Sequence, residues 1–327
     1  MSDVHPMLHL PARDIPVPSS ISAEAQSVVG MPQWAPELPE LDDLEGWRAS
    51  IGAHDDAIGA VMVERMSRAP VTTLEMDLGG FRVYEITPDE LRNDDENVYL
   101  DIHGGAFIHG SGECCRAMST STAVRNAARV WSDDYRMHPD HPFPVGLDGC
   151  LVTYRTLLQD RRPDQIIIGG ASAGGNLATA LILRARDEGL PLPAAAVLLT
   201  PAVDLTESGD SLQTNLGLDP LITSGSSSAF KLYVGSHNVA NPHISPLYGD
   251  FTKGFPTTIL TTGTRDMLLS DTVRMHRALR AAGVEAELHL QEAAGHGGFF
   301  GMAPEDREIV GEVRRFVDAQ WGRQRAS

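Results

Sequence analysis

Apolar and polar positions along this chain follow two periods in turn. After a proline-punctuated lead, "LDDLEGWRASIGAHDDAIGAVMVERM" spaces its apolar residues at helical intervals and carries no strand signal. From Thr72 the pattern changes. "TTLEMDL", Gly79-Gly80 and "FRVYEIT" predict a hairpin, and "NVYLDIH" predicts a third strand. "QIIIGG", "AAAVLLTPAV", "TTILTTG" and "EAELHL" then predict strands separated by stretches long enough for helices, which means a largely parallel sheet covered on both faces. The closing "PEDREIVGEVRRFVDAQW" predicts a helix with Pro304 and acids in its first turn and Ile309, Val313, Phe316 and Val317 on one face. One segment, Asp204 to about Asn241, breaks the alternation with turns and a short helix.

The strand "QIIIGG" runs into Ala171-Ser172-Ala173-Gly174-Gly175 and then the apolar helix "NLATALIL". In parallel sheets ligand chemistry gathers at the carboxyl ends of the strands, where Ser172 falls. A serine on a sharp strand-to-helix turn tolerates only small residues two positions before and after it, and Gly170 and Gly174 satisfy that. The turn also frees the backbone N–H of Ala173 at a helix start. No Lys-Ser/Thr pair follows the glycines, which argues against a phosphate loop.

A serine hydroxyl needs a base, and the base needs an orienting acceptor. Of twelve histidines, His296 in "EAAGHGGFF" lies in a glycine-flanked loop after the last strand. His237 and His243 fall in the turn-rich segment, His276 in a helix and His289 in a strand. "LTTGTRDMLLSD" offers two acids, Asp266 just past a strand and Asp271 at a helix start, where a helix-dipole role accounts for the latter. We therefore take Ser172, His296 and Asp266 as nucleophile, base and acid. Upstream, "YLDIHGGAFIHGS" ends a strand at His103 and opens into Gly104, Gly105 and Ala106, whose N–H groups can join that of Ala173 as an oxyanion hole.

Composition narrows the function classes. A formal charge of -18 argues against nucleic acid and anionic membrane as partners. The N-terminal residues lack the basic start and apolar run of a secretory signal, and no apolar stretch approaches the ~20 residues of a membrane span. Cys114, Cys115 and Cys150 have neither metal-type spacing nor an even count. The expectation is a cytoplasmic protein that uses no metal and no cofactor.

"HGGAFIHGS", "DYRMHPDHPFP", "GASAGGNLA", "DLTESGDSLQTNLGLDPLIT", "SPLY", "GTRDMLLSD" and "GHGGFF", in that order, resemble the hormone-sensitive-lipase-type bacterial esterases (family IV) of the α/β-hydrolase superfamily. The resemblance spans nearly the whole chain. It implies an α/β-hydrolase fold with a helical cap formed by residues 1–70 and 205–240 over core segments 71–204 and 241–327. It also implies the Ser172, His296 and Asp266 triad, oxyanion donors from Gly104 or Gly105, Ala106 and Ala173, and structural roles for His103, Asp134, Tyr135, Arg136 and His141. The activity implied is carboxylic ester hydrolysis of short- to medium-chain small-molecule substrates, in a chain that a homodimer would suit. An amidase or lactonase would use the same triad. The plant gibberellin receptors share the fold without catalysis, but they lack the histidine present here as His296.

Three positions depart from the pattern. Ala106 stands for the family's third glycine and Ala171 for its usual acid. "RVWSDDYR" places Arg129 and Asp133 in a strand expected to be buried, where an unpaired charge is costly.

Overall fold

The computed structural model describes residues 8–33, 37–92, 94–222 and 226–323. Residues 1–7 and 34–36 of the lead, and 223–225 of the expected cap insertion at 205–240, therefore lie outside the described residues. In chain order the elements are α1 (Ala23–Val29), α2 (Leu44–Met66), β1 (Val71–Asp77), β2 (Arg82–Pro88), β3 (Val98–Ile102), α3 (Glu113–Asn126), β4 (Arg129–Asp134), α4 (Val145–Asp160), β5 (Ile166–Ala171), α5 (Ala173–Asp187), β6 (Ala195–Leu199), α6 (Ser211–Thr214), α7 (Ser226–Val234), β7 (Thr257–Gly263), α8 (Leu269–Ala281), β8 (Ala286–Gln291) and α9 (Pro304–Gln320).

The strands form one sheet in the order β1-β2-β4-β3-β5-β6-β7-β8. β1 and β2 are the predicted hairpin, closed by Gly79 and Gly80 at positive φ, and β2 runs antiparallel to β4. The remaining pairings are parallel. Every residue of β3 is buried, as a strand covered on both faces requires. On one face α4, α5 and α8 bury Leu147, Tyr154, Leu177, Leu181 and Met275. The other face is closed by α3 and α9, with Val313, Phe316 and Val317 buried and Ile309 packed beside them.

The long helix α2 departs from its pattern. Only Trp47 and Gly59 are buried, while Ile58 and Val61 face solvent. Its apolar spacing marks a helix correctly but not a helix pressed into the core, because α2 lies across α3 rather than on the sheet.

The two charges in β4 are accommodated differently. Arg129 donates to the Asp95 carbonyl at 2.9 Å and lies near Glu85. Asp133 is fully buried, accepts the Thr153 hydroxyl through Oδ2 at 2.6 Å and has no partner for Oδ1. Burial pushes this carboxyl up to about 7, so protonation near neutral pH removes much of the penalty of a buried charge.

Candidate active site

The predicted residues gather at the carboxyl edge of the sheet. Ser172 caps α5 at φ 55° and ψ -121°, a strained conformation for a residue with a side chain. It is held by hydrogen bonds from its N–H to Leu199 O (2.9 Å) and from Ala202 N–H to its carbonyl (3.1 Å). The flanking glycines are steric necessities. A β-carbon on Gly170 would lie 2.5 Å from the Gly174 backbone, and one on Gly174 would run into the carbonyls of Ile102 and His103. The buried start of α5 thus packs directly against the end of β3.

That contact sets the loop of residues 103–110, the candidate oxyanion loop, beside the serine. A β-carbon on Gly104 would meet the Ala171 carbonyl at 2.9 Å and the Ser172 β-carbon at 3.4 Å. Gly105, at φ 117°, has no room for a side chain against His109. His103 braces the loop. Its Nδ1 meets the Gly104 carbonyl at 2.6 Å, its ring stacks on Tyr135 at 4.2 Å, and Tyr135 donates its hydroxyl to the His103 carbonyl. Burial lowers the pKa of His103, which favours the neutral ring. Ala106 and Phe107 have φ of 53° and 64°, so Ala106 carries a strain of roughly 1 kcal/mol that the family's glycine would not.

Asp266 and His296 meet across two loops. His296 Nδ1 lies 3.1 Å from Asp266 Oδ1, and both residues are buried. Asp266 also accepts Leu268 N–H and the Thr262 hydroxyl, each at 2.8 Å. Burial disfavours the charged His296 ring, but the charge and hydrogen bond of Asp266 and the charge of Asp219 outweigh it, so its pKa is raised. Asp271 lies in the first turn of α8, as predicted, yet it is not a solvated helix-dipole charge. It accepts Asp204 N–H at 2.9 Å and burial pushes it up to about 8.

Residues 99–300 match the family model of the α/β-hydrolase fold. An esterase of Acinetobacter venetianus is 33% identical over 227 residues, 67% of this chain and 74% of that protein. The crystal structure of esterase E25 superposes with a TM-score of 0.89 at 33% identity, covering 98% of this chain and 99% of the other. An esterase described as from the bacterial hormone-sensitive lipase family aligns with a TM-score of 0.77 at 31% identity, covering 92% and 99%. The chain belongs to the hormone-sensitive-lipase-type esterases. It is a serine carboxylesterase of the α/β-hydrolase superfamily.

Two carboxylates of this esterase escaped the sequence reading. Asp219, fully buried in the insertion, accepts four backbone N–H groups: Leu221 and Ile222 through Oδ1, Met267 and His296 through Oδ2. One side chain therefore ties the insertion to the loops of both Asp266 and His296. Its signal was the Asp-Pro pair in "LGLDPLIT", which marks an Asx turn but not the loops that it holds. Asp55 on α2 accepts Gly110 N–H at 3.1 Å and lies 3.2 Å from His109 Nδ1, so α2 grips the end of the loop that follows β3.

Because the Asp219 charge favours protonated His296, Asp219→Asn is expected to lower the pKa of that ring. For turnover that requires neutral His296, the acidic limb of the kcat/KM profile moves to lower pH. The lost acceptor also loosens the loop, and kcat falls by about tenfold. An acidic limb that stays in place would contradict this coupling.

Proposed function

We propose that Ser172 hydrolyses short- to medium-chain carboxylic esters through an acyl-enzyme, with His296 as base and Asp266 as its orienting acceptor. The observation that carries this reading is the buried 3.1 Å Asp266–His296 pair at the sheet edge that also holds Ser172. Ser172 attacks the ester carbonyl as His296 takes its proton, and the tetrahedral oxyanion is met by N–H groups of Gly104 or Gly105, Ala106 and Ala173. His296 then protonates the departing alcohol. Water, deprotonated by the same ring, releases the acid and restores Ser172. The raised pKa of His296 suits a ring that is protonated midway through each half-reaction.

The cap reading rests on packing. Trp47 of α2, Ala229 and Leu232 of α7 and Ile108 of the oxyanion loop form one buried cluster, against which Ala106 packs. Phe107 stacks on Tyr233 of α7 at 3.9 Å. Helices from both segments assigned to the cap therefore press on the oxyanion loop, which favours compact acyl groups over long triglyceride chains.

Ser172→Ala and His296→Ala are each expected to reduce turnover by about 10⁴ or more on p-nitrophenyl esters, because the triad acts as a unit. Asp266→Asn follows them, while Asp271→Asn keeps most activity. The reverse order for the two aspartates would overturn the assignment. Amides and lactones assayed beside esters of rising chain length test the substrate class, with activity expected to be highest on the shorter esters.

Ala106→Gly removes a methyl from the loop and relieves its positive φ. The expected result is a larger gain in kcat/KM for branched esters than for linear ones. An equal change for both would show that the methyl does not gate access.

A further inference from the structure

The contact between α2 and the oxyanion loop contains three side chains to which acyl transfer gives no task. His54 and Asp55 are neighbours on α2, and His109 closes the oxyanion loop. Each offers a ring nitrogen or carboxylate oxygen, and these atoms all lie within 4.8 Å of one another. Two of the donors come from adjacent residues of one helix, and the third reaches them from another element.

The spacing suits a small ion. Zinc binds imidazole nitrogen and carboxylate oxygen at about 2.0–2.2 Å, which makes the edge of a tetrahedral site about 3.3 Å. Asp55 Oδ1 and His109 Nδ1 are already 3.2 Å apart. The rings of His54 and His109 lie with centroids 4.2 Å apart, inclined by 46°, and the remaining donor separations are at most 4.8 Å. Donor chemistry selects the ion class: two imidazoles and one carboxylate suit Zn²⁺, Co²⁺ or Ni²⁺, whereas Ca²⁺ and Mg²⁺ prefer shells of oxygen.

The surroundings support a ligand set. The second oxygen of Asp55 is oriented by Gly110 N–H, an outer hydrogen bond of the kind that fixes metal ligands. The side chains of Asp55 and His109 retain 15% and 17% exposure, which leaves an approach for an ion. Asp55 also lines a cavity of about 920 Å³ with Ile108, Cys114, Asp134 and Tyr135, and neither Ser172 nor His296 borders it.

We propose that His54, Asp55 and His109 bind a divalent transition-metal ion of the zinc class, with three protein ligands and a remaining position for water, and that the ion fastens α2 to the oxyanion loop. It takes no part in acyl transfer. Its effect is to stabilise the contact on which the loop rests.

The test uses the full chain after chelator treatment, titrated with Co²⁺ by visible absorption and with Zn²⁺ by calorimetry. One ion per chain, a low-coordinate cobalt spectrum and a higher melting temperature with the ion are expected. His54→Gln and, separately, His109→Gln should weaken binding by at least about tenfold, with metal-free folding checked by circular dichroism. A second cluster, His103, Cys115 and Asp134, also brings ligand atoms within 4.8 Å and is the internal control, so Cys115→Ser should leave binding unchanged. Absence of saturable binding, binding unaltered in both histidine variants, or loss only in Cys115→Ser would each overturn the proposal. None of these readouts depends on ester hydrolysis, so the metal site and the acyl-enzyme reading fail or stand separately.

Discussion

The contact on which the site depends is the close approach of the start of α5 to the end of β3. Gly174 lies under the Ile102 and His103 carbonyls with no space for a β-carbon, and Gly170 faces Gly174 under the same restriction. This contact turns the chain sharply enough to leave Ser172 at φ 55°, and it places Gly104 against the same serine. A strained residue persists only where its surroundings hold it. Here the hydrogen bonds to Leu199 and Ala202 and the buried first turns of the helix behind the turn do so.

Four buried carboxylates around this frame differ in their hydrogen bonding. Asp266 and Asp219 each accept several donors, and their charges raise the pKa of His296 against the effect of burial. Asp133 and Asp271 each keep one oxygen without a partner, and burial pushes them up to about 7 and about 8. Low dielectric strengthens a satisfied charge and penalises an unsatisfied one. The well-bonded pair lies beside the His296 imidazole, and the two carboxyls raised by burial lie in the packing elsewhere.

Local signals carried most of the fold and the proposed catalytic residues. Strand period, glycine spacing around Ser172 and the glycine-flanked loop of His296 all reflect constraints between near neighbours, so they could be read from the chain. Asp219 could not be read in this way, because its bond to His296 spans 77 residues and its own neighbourhood shows only a turn. Asp55 reaches Gly110 across 55 residues from a helix whose pattern indicates periodicity but not which face is covered. The backbone of Ala106 was equally hidden: alanine carries no mark of a positive φ, and that conformation is imposed by the loop that Asp55 and His103 hold.

The central claim is that Ser172 becomes acylated during turnover. The most direct measurement traps the enzyme with an organophosphonate ester, follows p-nitrophenol release, and locates the adduct by peptide mass spectrometry. The account predicts one equivalent released per active chain, complete loss of activity, and a single modification on the peptide containing Ser172. Inactivation with the adduct on another residue, or full activity retained after Ser172 has been modified, would contradict it.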